Sequence, residues 1–437
     1  MGGFYAPKPF PEILLLRTYF FDLWVKKTFQ ESLRAYRLWK SQASLHQLPP
    51  TSLLPSIHLH LAEMGSQDLP KTMKAFVLEE FNTPYALRDL PVPTIEDPDD
   101  ILIRVEAGSY CHTDAVVAMG TVIQPPLPHV GCHEYAGTVV TLAPGKQVSH
   151  GLRVGDRVAV SGRGNHVCGV CRECRDPSEV LPDEPGFSVY CPLSGAGLGV
   201  DRLGGFREYA VVDARQVAVI PEGMSAVEVA PLMCAGLTIY AALKKCELTA
   251  GQRVGIMGCG GGLGHLGLQF ATKMGLRTAG VDIAPRSLQL ATDLATGATI
   301  IDASKQTAKE ARQQMGKDDG LSLESEMGLD AVLVLPESQK SFQYGIDLLR
   351  NGGLVVLVSF PPEGFHIDAG DFVFRRIRLV GSLIGSNRAM VEMLEFCVKE
   401  NVKAKTTTFP FLRLNDLVDA YHSGVPGKLV VDMSLAA

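Results

Sequence analysis

Four cysteines stand at 168, 171, 174 and 191, within the stretch CGVCRECRDPSEVLPDEPGFSVYC. Two gaps of two residues and one of sixteen separate them. Four thiolates close a tetrahedral shell around a zinc ion and leave no position for a substrate. The alternatives are a disulfide framework or a redox pair. Ten cysteines in a 437-residue chain without a convincing secretory signal favour metal, because a reducing compartment keeps thiols free. A second set is scattered: SYCHTD at 109–114, GCHEYAG at 131–137 and PLMCAG at 231–236. Singly, such a cysteine is usually a small core residue. Together Cys111, His133 and Cys234 offer two thiolates and an imidazole, and three protein ligands with an open fourth position are what a catalytic zinc needs. Glu134 and Asp114 can supply outer-shell or transient contacts to it.

A third feature is the run RVGIMGCGGGLGHLGLQFATKMG at 253–275. It reads as strand, glycine turn and helix. Gly258, Gly260, Gly261, Gly262 and Gly264, with Leu263, let the backbone turn tightly and approach a pyrophosphate, while the helix start offers free N–H groups to it. The spacing fits the dinucleotide pattern with one residue inserted, so the first glycine is either Gly258 or replaced by Cys259. The next strand ends in Asp282, eighteen residues after Gly264. A carboxylate there accepts hydrogen bonds from ribose hydroxyls and repels a 2′-phosphate, which favours NAD over NADP.

These groups need a scaffold. With 46% hydrophobic residues the chain can build two or three domains with real cores. From Met73 to about Ile220, short strands alternate with Gly, Pro and Asp turns, as in DILIRVEAGS and VGDRVAVSG; this is an all-β rhythm. After about Leu237, six short β-type runs (RVGIMG, RTAGVD, ATII, DAVLVL, GLVVLVSF and RLVGSLIG) are mostly separated by helical segments, the pattern of a parallel, doubly wound sheet. The expected division is a catalytic domain at 73–237, a coenzyme domain at 238–384 and a segment at 385–437 that completes the first.

Residues 1–72 form an N-terminal extension, expected to be poorly ordered or a targeting segment. PFPEILLLRTYFFDLWVKKTFQESLRAYRLWK there has the look of a basic amphipathic helix and holds both tryptophans, Trp24 and Trp39. Glu12, Asp22 and Glu31 speak against mitochondrial targeting, and Met64 opens what reads like a natural start. The cytoplasm is the expected location, with mitochondria the alternative. A net charge of −6 without a long basic block argues against nucleic acid as a partner. No run of about 18 uncharged apolar residues suggests a membrane span.

CHTD, GCHEYAG, the cysteine cluster, VAPLMCAGLTIYAAL, GGGLGHLG, VDI and VGSLIGSNR occur in the order found in one family. From Met73 onward the chain resembles the zinc-dependent alcohol dehydrogenases of the medium-chain dehydrogenase/reductase family, in the fungal and bacterial ethanol-dehydrogenase branch. The resemblance implies an α/β protein with a GroES-like, β-rich catalytic domain and a Rossmann coenzyme domain. It implies two zincs per chain: a catalytic one on Cys111, His133 and Cys234 beside Glu134, and a structural one on Cys168, Cys171, Cys174 and Cys191. It assigns Thr113 to passing the alcohol proton toward the nicotinamide ribose, His112 and Arg388 to the coenzyme phosphates, and Arg286 to the adenosine ribose. Val358, Phe360, Ser382 and Ile384 match backbone contacts to the nicotinamide half. The implied reaction is hydride transfer between a small-molecule alcohol and NAD, in a homodimer or homotetramer paired through the coenzyme domains.

Three positions depart from that family. The second histidine of the proton relay is Val116 here. Positions that carry bulky tryptophans in small-alcohol enzymes hold Ala118, Val122 and Arg163, which suggests a wider pocket, a substrate larger than ethanol and a positive group near the pocket mouth unless Arg163 turns to solvent. The gap before Cys191 is long, and Pro177, Pro182 and Pro185 with Asp176, Glu179, Asp183 and Glu184 mark it as an exposed acidic loop. The competing readings are a zinc-independent quinone or enone reductase of the same fold and a non-catalytic nucleotide-binding protein. Neither has a need for Cys111, His133, Glu134 and Cys234 together.

Overall fold

The computed structural model describes residues 69–143, 151–175 and 188–436. The N-terminal extension up to residue 68 and residues 176–187 of the acidic loop lie outside the described residues. Two sheets dominate the unit Ser66–Ala437. In chain order the first contributes β1 (Asp100–Tyr110), β2 (Glu134–Leu142), β3 (Arg157–Ser161), β4 (Tyr209–Asp213) and β5 (Val217–Val219). The second consists of β6 (Arg253–Met257), β7 (Arg277–Asp282), β8 (Thr299–Asp302), β9 (Leu329–Val334), β10 (Leu349–Leu357) and β11 (Arg378–Gly381). The chain then returns to the first sheet with β12 (Thr406–Pro410) and β13 (Lys428–Asp432).

The second sheet is parallel throughout, in the order β8-β7-β6-β9-β10-β11. That order reverses direction between β6 and β9, and in open parallel sheets the crevice at such a switch point is where a dinucleotide binds. All six runs marked out in the sequence as β-type form its strands. Its central strands are apolar on both faces because helices cover both: Ile256, Val332 and Leu333 are fully buried. Truncating Leu333 to alanine would cost about 2–5 kcal/mol.

The first sheet is mainly antiparallel. Its longest strand, β1, pairs with β2, β4 and β13. Pairing of β13 with β1 brings the end of the chain alongside Tyr110, one residue before Cys111. Among the described residues no single helix is long and apolar enough to cross a membrane.

Candidate active site

Strand β1 ends where the helix His112–Met119 begins, and Cys111 is the cap between them. Strand β2 begins at Glu134, so His133 lies just ahead of it. Cys234 caps the helix Ala235–Lys245. Three element ends thus converge, which fixes side chains more firmly than loops would. The ligand atoms of Cys111, His133, Glu134 and Cys234 all lie within 4.8 Å of one another, and all four residues are buried. The two sulfurs are 3.9 Å apart.

Asp114 organises this cluster. Its carboxylate accepts the N–H of Cys111 at 2.9 Å and of Cys132 at 3.1 Å, and it meets His133 Nδ1 at 2.9 Å. With its proton on Nδ1, His133 leaves Nε2 as a lone-pair donor, and that buried nitrogen has no hydrogen-bond partner. Burial opposes an imidazolium here, but Asp114 outweighs it and raises the His133 pKa well above the ordinary value. A metal on Nε2 takes the place of that proton. Cys111 is held well below the usual thiol value by the hydrogen bond from Cys234, with Lys428 and His133 adding to it. Cys234 is pushed up in turn. An orphaned imidazole nitrogen, two thiols and a buried carboxylate are a donor set that fits zinc.

Lys428 was not singled out from the sequence. It stands at the start of β13, 3% exposed, with Nζ against Glu134 Oε1 and 3.2 Å from the carbonyl of Tyr110. Burial opposes its charge, but Glu134 and the two thiols outweigh that and raise its pKa. Burial pushes Glu134 up to about 7. Lys428 also packs beside the glycine turn, since a Cβ on Gly262 would come within 3.2 Å of its Cδ. The only hint in the sequence is a lysine opening the apolar run KLVV.

The other cysteine set also comes together. Cys168, Cys171, Cys174 and Cys191 have their sulfurs within 4.8 Å of one another, and none forms a disulfide. Backbone N–H groups of Cys168, Val170, Cys171 and Cys174 point at these sulfurs at 3.3–3.4 Å, which favours thiolates. Cys168 is lowered to about 7, those N–H donors outweighing its burial. The residue before Cys191, Tyr190, accepts the N–H of Leu383 on its hydroxyl at 3.1 Å.

In the glycine turn Gly258 has a φ of +73°, so it is the turning residue, while Cys259 is a fully buried core residue. A Cβ on Gly260 would come within 2.1 Å of the Ser287 carbonyl, and one on Gly264 within 2.1 Å of the Gly258 carbonyl. The helix Gly264–Lys273 follows. Asp282 closes the turn by accepting the N–H of Gly260 at 3.2 Å and those of Ile283 and Ala284. These features suit a nicotinamide dinucleotide. Arg286 is exposed at the start of the next helix.

A cleft of about 650 Å³ joins the metal cluster to the second sheet. Cys111, His133 and Cys234 line it, together with His112, Thr113 and Val116, and Leu263, Val358, Phe360, Ser382 and Ile384 line it from the coenzyme side. His112 meets the Tyr421 hydroxyl at 2.9 Å and Glu337 at 3.5 Å. Ile384 holds a φ of +44°, strained for a β-branched residue and a mark of a constrained site. Arg388 is not among the lining residues; it pairs with Glu392 one helical turn on. Val122 lines the cleft, whereas Ala118 packs on the first module's core. Arg163 is neither at the surface nor turned to solvent: it lines the cleft and is 4% exposed, because its guanidinium bridges two backbone carbonyls.

A doubly wound coenzyme sheet, a buried Cys-His-Cys cluster beside its cleft and a separate four-thiol lobe define a zinc-dependent oxidoreductase of alcohols and carbonyl compounds. The comparisons agree. Residues 97–222 match the alcohol dehydrogenase GroES-like domain, and residues 262–399 the zinc-binding dehydrogenase domain. An alcohol dehydrogenase from Geobacillus stearothermophilus is 33% identical over 82% of this chain and 99% of its own. Alcohol dehydrogenase 1 of Emericella nidulans is 33% identical over 84% and 99%. Among solved structures, acetophenone reductase from Geotrichum candidum in complex with NAD superposes with a TM-score of 0.69 at 25% identity, covering 84% of this chain and 98% of that one. The chain belongs to the zinc-dependent alcohol dehydrogenases of the medium-chain dehydrogenase/reductase family. It uses zinc and a nicotinamide coenzyme on small-molecule substrates.

Proposed function

We propose that this enzyme interconverts an alcohol larger than ethanol and its aldehyde or ketone with NAD rather than NADP, holding two zincs per chain. The observation that carries the reading is the buried cluster of Cys111, His133, Glu134 and Cys234 opening onto the cleft. A zinc ion held by Cys111, His133 and Cys234 supplies Lewis acidity, which lowers the pKa of a hydroxyl group. The nicotinamide supplies the hydride acceptor. The chain's own residues do the rest. Asp114 fixes the His133 tautomer, and Lys428 offsets the negative charge that Glu134 and the thiolates accumulate. Thr113, on the cleft wall, hands the substrate proton toward the coenzyme ribose, and with Val116 in place of a relay histidine the proton then leaves through water. The apolar wall around Val116, Met119, Val122 and Leu335 keeps the reacting centre dry.

Cys168, Cys171, Cys174 and Cys191 hold the second, structural zinc. His112 and Arg388 serve the coenzyme phosphates, Asp282 and Arg286 the adenosine ribose. In this reading the catalytic module spans 73–237 and 385–437, and the coenzyme module 238–384. Two copies pair through the coenzyme modules, whose sheet ends at β11. A cytoplasmic location suits the absence of disulfides among the described residues. The test is zinc content and coenzyme binding. About two zincs per chain are expected, with Cys111→Ser losing one and all turnover while still binding NADH. Retained turnover in Cys111→Ser would refute the assignment.

A further inference from the structure

Arg163 sits two residues past β3 and is built onto the metal cluster: its neighbour Gly162 donates its N–H to the His133 carbonyl at 2.6 Å. A side chain at 162 would collide with His133, since a Cβ there would lie 2.3 Å from the His133 Cβ, so the close approach is fixed. The guanidinium is buried on the cleft wall, where the other titratable lining residues are Cys111, His112, His133, Cys234 and Glu337. It makes two long contacts, Nη1 to the Gly385 carbonyl at 3.4 Å and Nη2 to the Gln216 carbonyl at 3.3 Å. Its Nε is buried with no partner, and among the described residues no carboxylate forms an ion pair with it. Asp213 is near enough to favour its charge, but that carboxylate is taken up by Arg215 and Gln216. Burial lowers the Arg163 pKa to about 10, so it remains charged at neutral pH.

A buried cation without a counter-ion is costly unless something supplies the opposite charge. What remains free on this guanidinium is the Nε–H and a second hydrogen on each terminal nitrogen. A guanidinium's paired N–H groups form a planar fork that takes a carboxylate on two oxygens at once. The cleft that Arg163 lines also carries apolar side chains, among them Val122, Ile123, Val189 and Val200. We propose that Arg163 sets the substrate class: an alcohol or carbonyl compound carrying a carboxylate at the far end of a short apolar chain. This rests on the oxidoreductase reading above.

The test compares succinic, glutaric and adipic semialdehydes with their methyl esters, using the full chain loaded with zinc and whichever reduced nicotinamide coenzyme it accepts. The acid of the best-fitting length should exceed its ester in kcat/KM by on the order of tenfold or more. Arg163→Met should bring that ratio toward one through KM for the acid, and Arg163→Lys should restore part of it. A purely structural arginine would lower acid and ester rates alike and leave the ratio in place. Equal use of acid and ester by the unaltered enzyme would overturn the proposal even if every variant failed to fold. So would a ratio that survives Arg163→Met. Turnover of neither acids nor esters, nor of neutral aldehydes, would overturn the oxidoreductase reading itself.

Discussion

Lys428 and Glu134, 294 positions apart, form an ion pair that is buried on both sides. The last strand of the chain thereby reaches the residue next to His133. Removing one partner of such a pair leaves an uncompensated charge, which typically costs 3–5 kcal/mol. Lys428→Met should therefore lower the denaturation midpoint, and activity should fall further than stability because Glu134 lies against the metal cluster. Denaturant titration beside steady-state kinetics checks both. A variant as stable as the parent would show that Glu134 has another partner.

Asp114 touches Cys111, Cys132 and His133 at once. Asp114→Asn keeps the shape but no longer dictates which imidazole nitrogen carries the proton. Zinc affinity should fall about 10–100-fold. Competition with a chelator, followed by metal analysis, measures this directly. The second zinc proposed for the four-thiol lobe should be retained under the same conditions.

Asp282 accepts three backbone N–H groups of the coenzyme turn. Under the proposed preference for NAD, its replacement by alanine removes a repulsion of the 2′-phosphate and slackens the turn. The NAD-to-NADP ratio of kcat/KM should fall by on the order of tenfold or more, chiefly through weaker use of NAD. If the parent enzyme oxidises NADPH faster than NADH, the role given to this residue is wrong.

His265 is fully buried, with Nδ1 3.0 Å from the Gly261 carbonyl and Nε2 accepting the N–H of Lys405. Burial lowers its pKa to about 4. In the unfolded chain it would take up a proton near pH 6.5. The unfolded state thus binds more protons between about pH 6.5 and 4, and stability drops as pH falls through that window by up to about 1.4 kcal/mol per unit. Urea midpoints of the parent and of His265→Gln across the window isolate this contribution: the parent should lose more on acidification.

Both sheets, the four-cysteine cluster and the glycine turn were legible because each depends on local pattern, whereas the scattered Cys111, His133 and Cys234 were legible only when taken together with the family's order of motifs. Period, turn residues and ligand spacing survive in a linear reading. What was not legible depends on depth. The sequence leaves Arg163 either near the pocket mouth or turned to solvent, and only the folded chain shows it 4% exposed. Lys428 looks like the polar start of an edge strand. It is buried because β12 covers β13 on one side and β1 pairs with it on the other. His265 hides within an apolar helix, where nothing local distinguishes it.

Among the described residues the four-thiol lobe has little apolar core of its own, Val167 with Cys174 and Cys191. Yet Tyr190, at its edge, takes the N–H of Leu383 and lies under the ammonium of Lys245, 5.5 Å from its ring. Leu383 stands between Ser382 and Ile384 on the cleft wall. The lobe is therefore a buttress as well as a clasp: the zinc proposed for its four thiols would keep in register the wall against which a coenzyme would lie. If the proposed second zinc sits there, stripping it should surface first as loosened coenzyme binding, before any loss at the reacting centre.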